Sequence, residues 1–212
     1  GENLTRVFFS DSGSTAVEVA MKMAVGYWHN IGEPRKTIVA LEHGYHGDTF
    51  GTMAAGARSV YNAAYNPFLF DVEHLPFPNS SQKTRHPERS EGSDLEHQSD
   101  PFVADAPQDD TVKAFEKLLK ERGSDIAAFI CEPLVLGAGG MMMYGAETLK
   151  QLHALCRKYD VFFIADEVMT GWGRTGTKWA CDQAGFTPDI LCSSKGLTGG
   201  YLPLAVTLAS ER

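Results

Sequence analysis

Residues 161–195 read VFFIADEVMTGWGRTGTKWACDQAGFTPDILCSSK. One apolar run, Val161 to Ala165, stops at the acids Asp166 and Glu167. A second, Ile190 to Cys192, stops at Ser193-Ser194-Lys195-Gly196. Short, unbroken and rich in β-branched and aromatic residues, both read as strands buried on two faces, as in a parallel sheet. Each delivers a charged side chain where it ends. Ligands of open α/β sheets bind outside the carboxyl ends of the strands. Asp166 and Lys195 are therefore expected to meet in one crevice.

Outward from this stretch the pattern repeats. Val7 to Phe9 is a short strand, Ser10 to Ser14 a turn, and Thr15 to His29 a helix. Val17, Ala20, Met21, Ala24 and Trp28 fall on one helical face, and Asp11, Ser12 or Ser14 can cap it. A small-residue turn between strand and helix either aims free N–H groups at an anion or simply caps the helix, and both readings stay open. Lys36 to Leu41 is the next strand. It ends in Glu42-His43-Gly44-Tyr45-His46-Gly47-Asp48, with a helix from Thr49 to Gly56. Tyr45, flanked by glycines, either stands against a flat ligand or packs half-buried. His43 and His46 read as hydrogen-bonding loop residues.

A helix from Asp109 or Asp110 to Arg122, a strand from Ile126 to Cys131 and an amphipathic helix from Ala146 to Tyr159 follow, with a last apolar strand from Leu204 to Leu208. Met141-Met142-Met143 reads as adaptable packing. This alternation predicts an α/β fold, a mostly parallel sheet flanked by helices. The exception is Asn79 to Pro101, whose only aliphatic or aromatic residue is Leu95. It is expected to be a mobile polar surface insertion inside a single domain spanning 1–212.

Composition narrows the function classes. The 212 residues are 43% hydrophobic and 22% charged, an ordinary globular balance. A net charge of −8 argues against nucleic-acid and anionic-membrane partners. No apolar run approaches membrane-spanning length, so a cytoplasmic protein is expected. Cys131, Cys156, Cys181 and Cys192 lack CxxC spacing and read as free buried thiols. The histidines lack HExxH spacing, so no metal site is expected.

A strand ending in Asp-Glu also fits nucleotide hydrolases, but these need GxxxxGK[ST], and the chain has no Gly-Lys dipeptide. The first turn, SDSGSTA, has one glycine, too few for GxGxxG. An amine and an acid at a ligand-binding edge suit pyridoxal 5'-phosphate (PLP) chemistry. Lys195 would form the Schiff base and act as general base, and Asp166 would keep the pyridine nitrogen protonated. Tyr45 would cover the ring, and Gly13 and Ser14 would hold the phosphate at a helix N-terminus.

DSGSTAVEVAMKMA (11–24), EHGYHGDTFG (42–51), CEPLVLGAGGMMMY (131–144), FFIADEVMTGWGRTG (162–176) and PDILCSSKGLTGGYLPLAVTLAS (188–210) resemble, in order, the signature blocks of class III PLP-dependent aminotransferases. Within that class the resemblance is greatest to the diaminopelargonate aminotransferases of biotin synthesis. It implies a PLP fold-type I large domain, a homodimer, and ping-pong transfer from a small-molecule amino donor to a keto acceptor. The specific pair implied is S-adenosylmethionine and 8-amino-7-oxononanoate. The alternatives are a class III enzyme acting on ω-amino acids or diamines, or a truncated, catalytically incompetent piece. The resemblance places Asp48 and Arg174 at the substrate site and gives Glu132 a supporting role beside the cofactor. Leu136 stands where the family usually has Gln, Trp172 where it usually has Phe, and the polar insertion is atypical. The N-terminal substrate-wall segment, a segment reaching the neighbouring subunit's phosphate site, and the small domain with its carboxylate-binding arginine are expected outside 1–212.

Overall fold

The computed structural model describes residues 4–78 and 109–211. The polar insertion at 79–101 lies outside the described residues. In chain order the elements are β1 (Leu4–Ser10), α1 (Gly13–Asn30), β2 (Thr37–Leu41), α2 (Phe50–Ala55), β3 (Glu73–Leu75), α3 (Asp110–Arg122), β4 (Ile126–Cys131), β5 (Val135–Leu136), β6 (Met142–Met143), α4 (Ala146–Lys158), β7 (Phe162–Asp166), β8 (Ile190–Ser193) and β9 (Ala205–Ser210). Seven strands form one sheet in the order β1-β9-β8-β7-β4-β2-β3, and β5 and β6 make a separate small hairpin. Strands β3, β2, β4, β7 and β8 are mutually parallel. Strand β9 runs against both β8 and β1, so it alone is reversed in the sheet.

The central strands are buried on both faces because helices cover both. Successive side chains of a strand point to opposite sides. Ile38 and Ala40 of β2 accordingly join the α1 layer, where Ala16, Ala20 and Ala24 let the helix lie close to the sheet. Val39 and Leu41 join the opposite layer, built on Phe115 and Leu119 of α3 and Leu149 and Leu152 of α4. Trp28 anchors the far end of α1. Its indole N–H donates to the Ala127 carbonyl at 3.0 Å, and the Arg35 guanidinium lies 3.4 Å from its ring centre. The α3 cap is Asp109, whose carboxylate accepts from Thr111 N–H at 2.9 Å.

Two expectations need correction. The methionine run is not packing: Met142 and Met143 form β6, and Met141 and Met143 are exposed. The first strand is longer than Val7–Phe9, and Val7, Phe8 and Phe9 are all exposed. Among the described residues β1 is an edge strand, paired with β9 alone. All four cysteines are buried, and Cys131, Cys181 and Cys192 are free thiols, as expected. Among the described residues no helix is long and apolar enough to cross a membrane, and no cluster of His, Cys, Asp and Glu could hold a metal ion.

Candidate active site

Six site residues named from sequence line one cavity of about 140 Å³: Gly13, Ser14, Tyr45, Glu132, Asp166 and Lys195. They arrive from separate elements. Gly13 and Ser14 open α1, Tyr45 lies in the loop after β2, Asp166 ends β7, and Lys195 follows β8. The cavity stands at the carboxyl edge of the parallel strands, where the sheet order predicts a ligand. Tyr45 and Gly47 also line an adjoining open groove of about 1070 Å³, whose walls include Asp48, Phe50, Tyr61 and Tyr65.

Each side chain is held by its neighbours. Ser12 caps α1: its hydroxyl accepts from Thr15 N–H at 3.2 Å, and Thr15 Oγ1 accepts from Ser12 N–H at 3.1 Å. The N–H groups of Gly13 and Ser14 belong to the first turn, where a helix offers them no acceptor of its own. Ser14 Oγ accepts from Asp48 N–H at 3.2 Å, tying the Tyr45 loop to the helix start. That approach requires Gly47, with φ +131°, because a Cβ there would collide with Ser14. Tyr45 is fastened at both ends by carboxylates. Its N–H donates to Glu132 Oε1 at 3.1 Å and its hydroxyl to Asp48 Oδ2 at 2.9 Å. Burial, then the bond to Asp48, pushes the Tyr45 phenol up to about 12, so it stays protonated near neutrality.

Asp166 is buried, and His46, equally buried, sits on it with Nδ1 2.8 Å from Asp166 Oδ2. Asp166 Oδ1 accepts from Val168 N–H at 3.2 Å. With the carboxylate ionised, His46 Nδ1 carries the shared proton. His46 Nε2 is buried and has no hydrogen-bond partner among the described residues. Glu132 accepts from the N–H groups of Tyr45 and Gly137, yet burial lifts its carboxyl above the usual range, with the Asp166 charge adding to the lift and His46 opposing it. Glu167 points away from this chemistry. Its carboxylate accepts from Ala180 N–H, Cys181 N–H and the Thr170 hydroxyl at 3.0, 2.9 and 2.6 Å, which pins the loop after β7.

A model of the class-III aminotransferases matches residues 1–212. The chain belongs to the class III aminotransferases. The adenosylmethionine-8-amino-7-oxononanoate aminotransferase of Synechococcus elongatus is 49% identical over 210 residues, covering 99% of this chain and 45% of that protein. The protein of the same name from Anoxybacillus flavithermus is 44% identical, with 99% and 43% covered. Among solved structures, the enzyme of that name from Methanocaldococcus jannaschii superposes with a TM-score of 0.80 at 33% identity, over 99% of this chain and 43% of that one. An amine transaminase from an uncultivated Pseudomonas species, in its PLP-bound form, gives 0.79 at 35% identity, over 99% and 44%. This class III chain thus spans less than half the length of these relatives, and its fold is that of the PLP-dependent aminotransferases.

The residues of this aminotransferase chain fit PLP. A buried, oriented carboxylate, a lysine and the first-turn residues Gly13 and Ser14 line one cavity, the donor and acceptor set that a phosphorylated, protonated pyridine aldehyde requires. Gly13 keeps the helix start open beside it, since a Cβ there would come within 2.7 Å of Val168 Cγ1. Asp48 lines the open groove beside Tyr45. Arg174 does not join the cluster. It is exposed, lines neither cavity, and donates from Nε to the Met169 carbonyl at 2.7 Å. Sequence reasoning passed over His46 as a loop residue. Its signal was a histidine beside the ring-covering tyrosine, but the contact joins residues 120 apart in sequence.

Proposed function

We propose that this chain carries the PLP site of an aminotransferase that moves an amino group from S-adenosylmethionine to 8-amino-7-oxononanoate in biotin synthesis. The observation behind this reading is the single cavity that collects Gly13, Ser14, Tyr45, Asp166 and Lys195 from four parts of the chain. The names of the relatives support the donor and acceptor. Lys195 would hold the cofactor through Nζ and, when released, carry the proton between substrate carbon and cofactor. Asp166, fixed by His46 and Val168, would keep the ring nitrogen protonated. The first-turn N–H groups and the Ser14 hydroxyl would bind the phosphate. Tyr45 would shield the ring face, its orientation set by Asp48 and Glu132. When bound, PLP supplies the electron sink. Asp48 and Arg174 are proposed to contact substrate, Arg174 by leaving its backbone acceptor.

The working form is proposed to be a cytoplasmic homodimer. The exposed aromatics Phe50, Tyr61, Tyr65 and Phe68 beside the groove support a covering partner, and the free buried thiols Cys131, Cys181 and Cys192 support a reducing compartment. The test loads the protein with PLP, reduces it with borohydride and maps the adduct. Lys195 is the expected position, and an adduct on Lys178 or Lys150 would sink the assignment. An assay offering adenosylmethionine, ω-amino acids and diamines in parallel then decides the donor. Turnover with ω-amino acids alone would replace the biotin-pathway reading by a general amine transaminase.

A further inference from the structure

Lys195 stands in an unusual backbone conformation, in a turn that is contacted on both sides. Its φ is +36°, in the left-handed region that side-chain-bearing residues seldom occupy. Such a conformation persists only where the surroundings over-determine it. Some of that comes from the turn itself, where Leu197 N–H donates to the Ser194 carbonyl at 2.9 Å and the Ser194 hydroxyl donates to the Leu204 carbonyl at 3.0 Å. From outside the turn, Trp172 contacts the same segment.

Trp172 touches the chain on both sides of Lys195. Its indole N–H donates to Ser193 Oγ at 2.7 Å, two residues before. Its Cβ, Cγ and Cδ1 lie against Gly196, one residue after, so closely that a Cβ on Gly196 would come within 2.6–2.7 Å of them. Ser193 is fully buried in β8, so the indole ties the turn to a fixed strand. Trp172 is itself constrained, with φ +61°. Trp179 packs edge-on against it at 5.2 Å between ring centres, and the loop closes through Gly171 N–H on the Glu167 carbonyl at 3.0 Å. This loop begins right after Asp166. The segment leaving the proposed ring-nitrogen acid therefore returns to clamp the proposed cofactor lysine.

We infer that Trp172 is a positioning residue for Lys195, and that its indole N–H, which a phenylalanine at this position lacks, sets the lysine's backbone. The inference rests on the reading of Lys195 as the PLP lysine. It touches neither the cavity nor any reacting atom, so its effect is transmitted through Ser193 and Gly196.

Trp172→Phe keeps the ring against Gly196 and removes only the N–H, and Ser193→Ala removes the acceptor. The full-length protein with each change, and with both, is compared by four measurements: hydrogen exchange at the Leu197 amide without cofactor, PLP affinity, the yield of borohydride-fixed Lys195 adduct, and kcat against KM. Each single change is expected to speed Leu197 exchange and to weaken PLP binding roughly fivefold, the ratio equivalent to one ordinary intramolecular hydrogen bond. The fall in turnover should lie in kcat, with donor KM nearly unchanged. The double change should be no worse than either single one, because both break the same bond. Gly196→Ala, which pushes the indole away without altering it, should reproduce the exchange and affinity effects. Wild-type exchange, affinity and adduct yield in Trp172→Phe would overturn the inference, as would additive losses in the double variant. A lowered melting temperature with unchanged PLP affinity and kcat would reduce Trp172 to a purely structural role and overturn it too. Faster exchange in the variants with the wild-type adduct on another lysine would leave the clamp standing and remove the PLP reading of Lys195 instead.

Discussion

Two buried aspartates mark the two edges of the same sheet. Asp189 precedes β8 at the amino edge and Asp166 ends β7 at the carboxyl edge. Asp189 is spent on structure. Its Oδ2 accepts from Phe163 N–H at 2.8 Å, its Oδ1 from Arg157 at 3.2 Å, and its carbonyl accepts from Ser210 N–H at 2.9 Å. Asp166 is held by His46 and Val168 but lines a cavity, beside a buried histidine nitrogen that has no partner among the described residues. Burial alone does not separate a structural carboxylate from a chemical one. What separates them is that the chemical one lines a cavity at the carboxyl edge of the sheet while the structural one is tied into the strands around it.

The sharpest way to break the comparison is at the carboxyl edge. Lys195→Ala should abolish the borohydride-fixed adduct at that position and lower amino transfer by about 10²–10⁴-fold, the usual worth of a positioned proton carrier, with the far-ultraviolet circular dichroism unchanged. Retained turnover would move the lysine elsewhere.

Exchanging the acids one at a time comes next. Asp166→Asn should cut turnover by about 10²-fold or more, as for loss of a preorganised charge, while the melting temperature moves little. Asp189→Asn should do the reverse: a loss of about 1–3 kcal/mol in denaturant unfolding, from poorly satisfied buried partners, with kcat within a few-fold of wild type. If the two phenotypes were swapped, the distinction between the edges would fail.

The amino edge also has a pH signature. His153 lies flat on Phe186 at 3.9 Å and edge-on to Phe163 at 5.5 Å. Burial, with Arg157 nearby, pushes its pKa down from 6.5 to about 4. Between these values the unfolded chain binds a proton that the folded chain refuses, so stability falls as pH drops from 6.5 toward 4 and levels off below. With solvent screening of a partly exposed ring allowed for, the loss is about 1–2 kcal/mol. His153→Phe should flatten that part of the stability–pH curve, and an unchanged slope would assign it to other groups.

What sequence reading could reach follows from the same contrast. Strands β4, β7 and β8 were legible because both faces are buried, which leaves an unbroken apolar run. Asp166 and Lys195 were legible because charges ending such runs must lie at the edge. Strand β3 was not, since three residues including Glu73 and His74 carry no periodic signal. The β5–β6 hairpin was hidden by the methionines, whose composition suggests a core they do not join. The reversal of β9 left no trace either, because an apolar strand reads the same in both directions. The His46–Asp166 bond and the indole bridge to Ser193 arise from long-range proximity, which no local pattern records.

The four thiols offer a different use of the same architecture. Cys131 lies in β4, Cys156 in α4, Cys192 in β8, and Cys181 in a short 3-10 turn pinned by Glu167. All are buried, and burial raises the thiol pKa at Cys131, Cys181 and Cys192, so an alkylating reagent reaches them only when the segment around each one opens. The protein thus carries four built-in stopwatches. Pulsed labelling read by mass spectrometry would report, without any engineered probe, whether the turn beside Glu167 opens before the sheet or only with it.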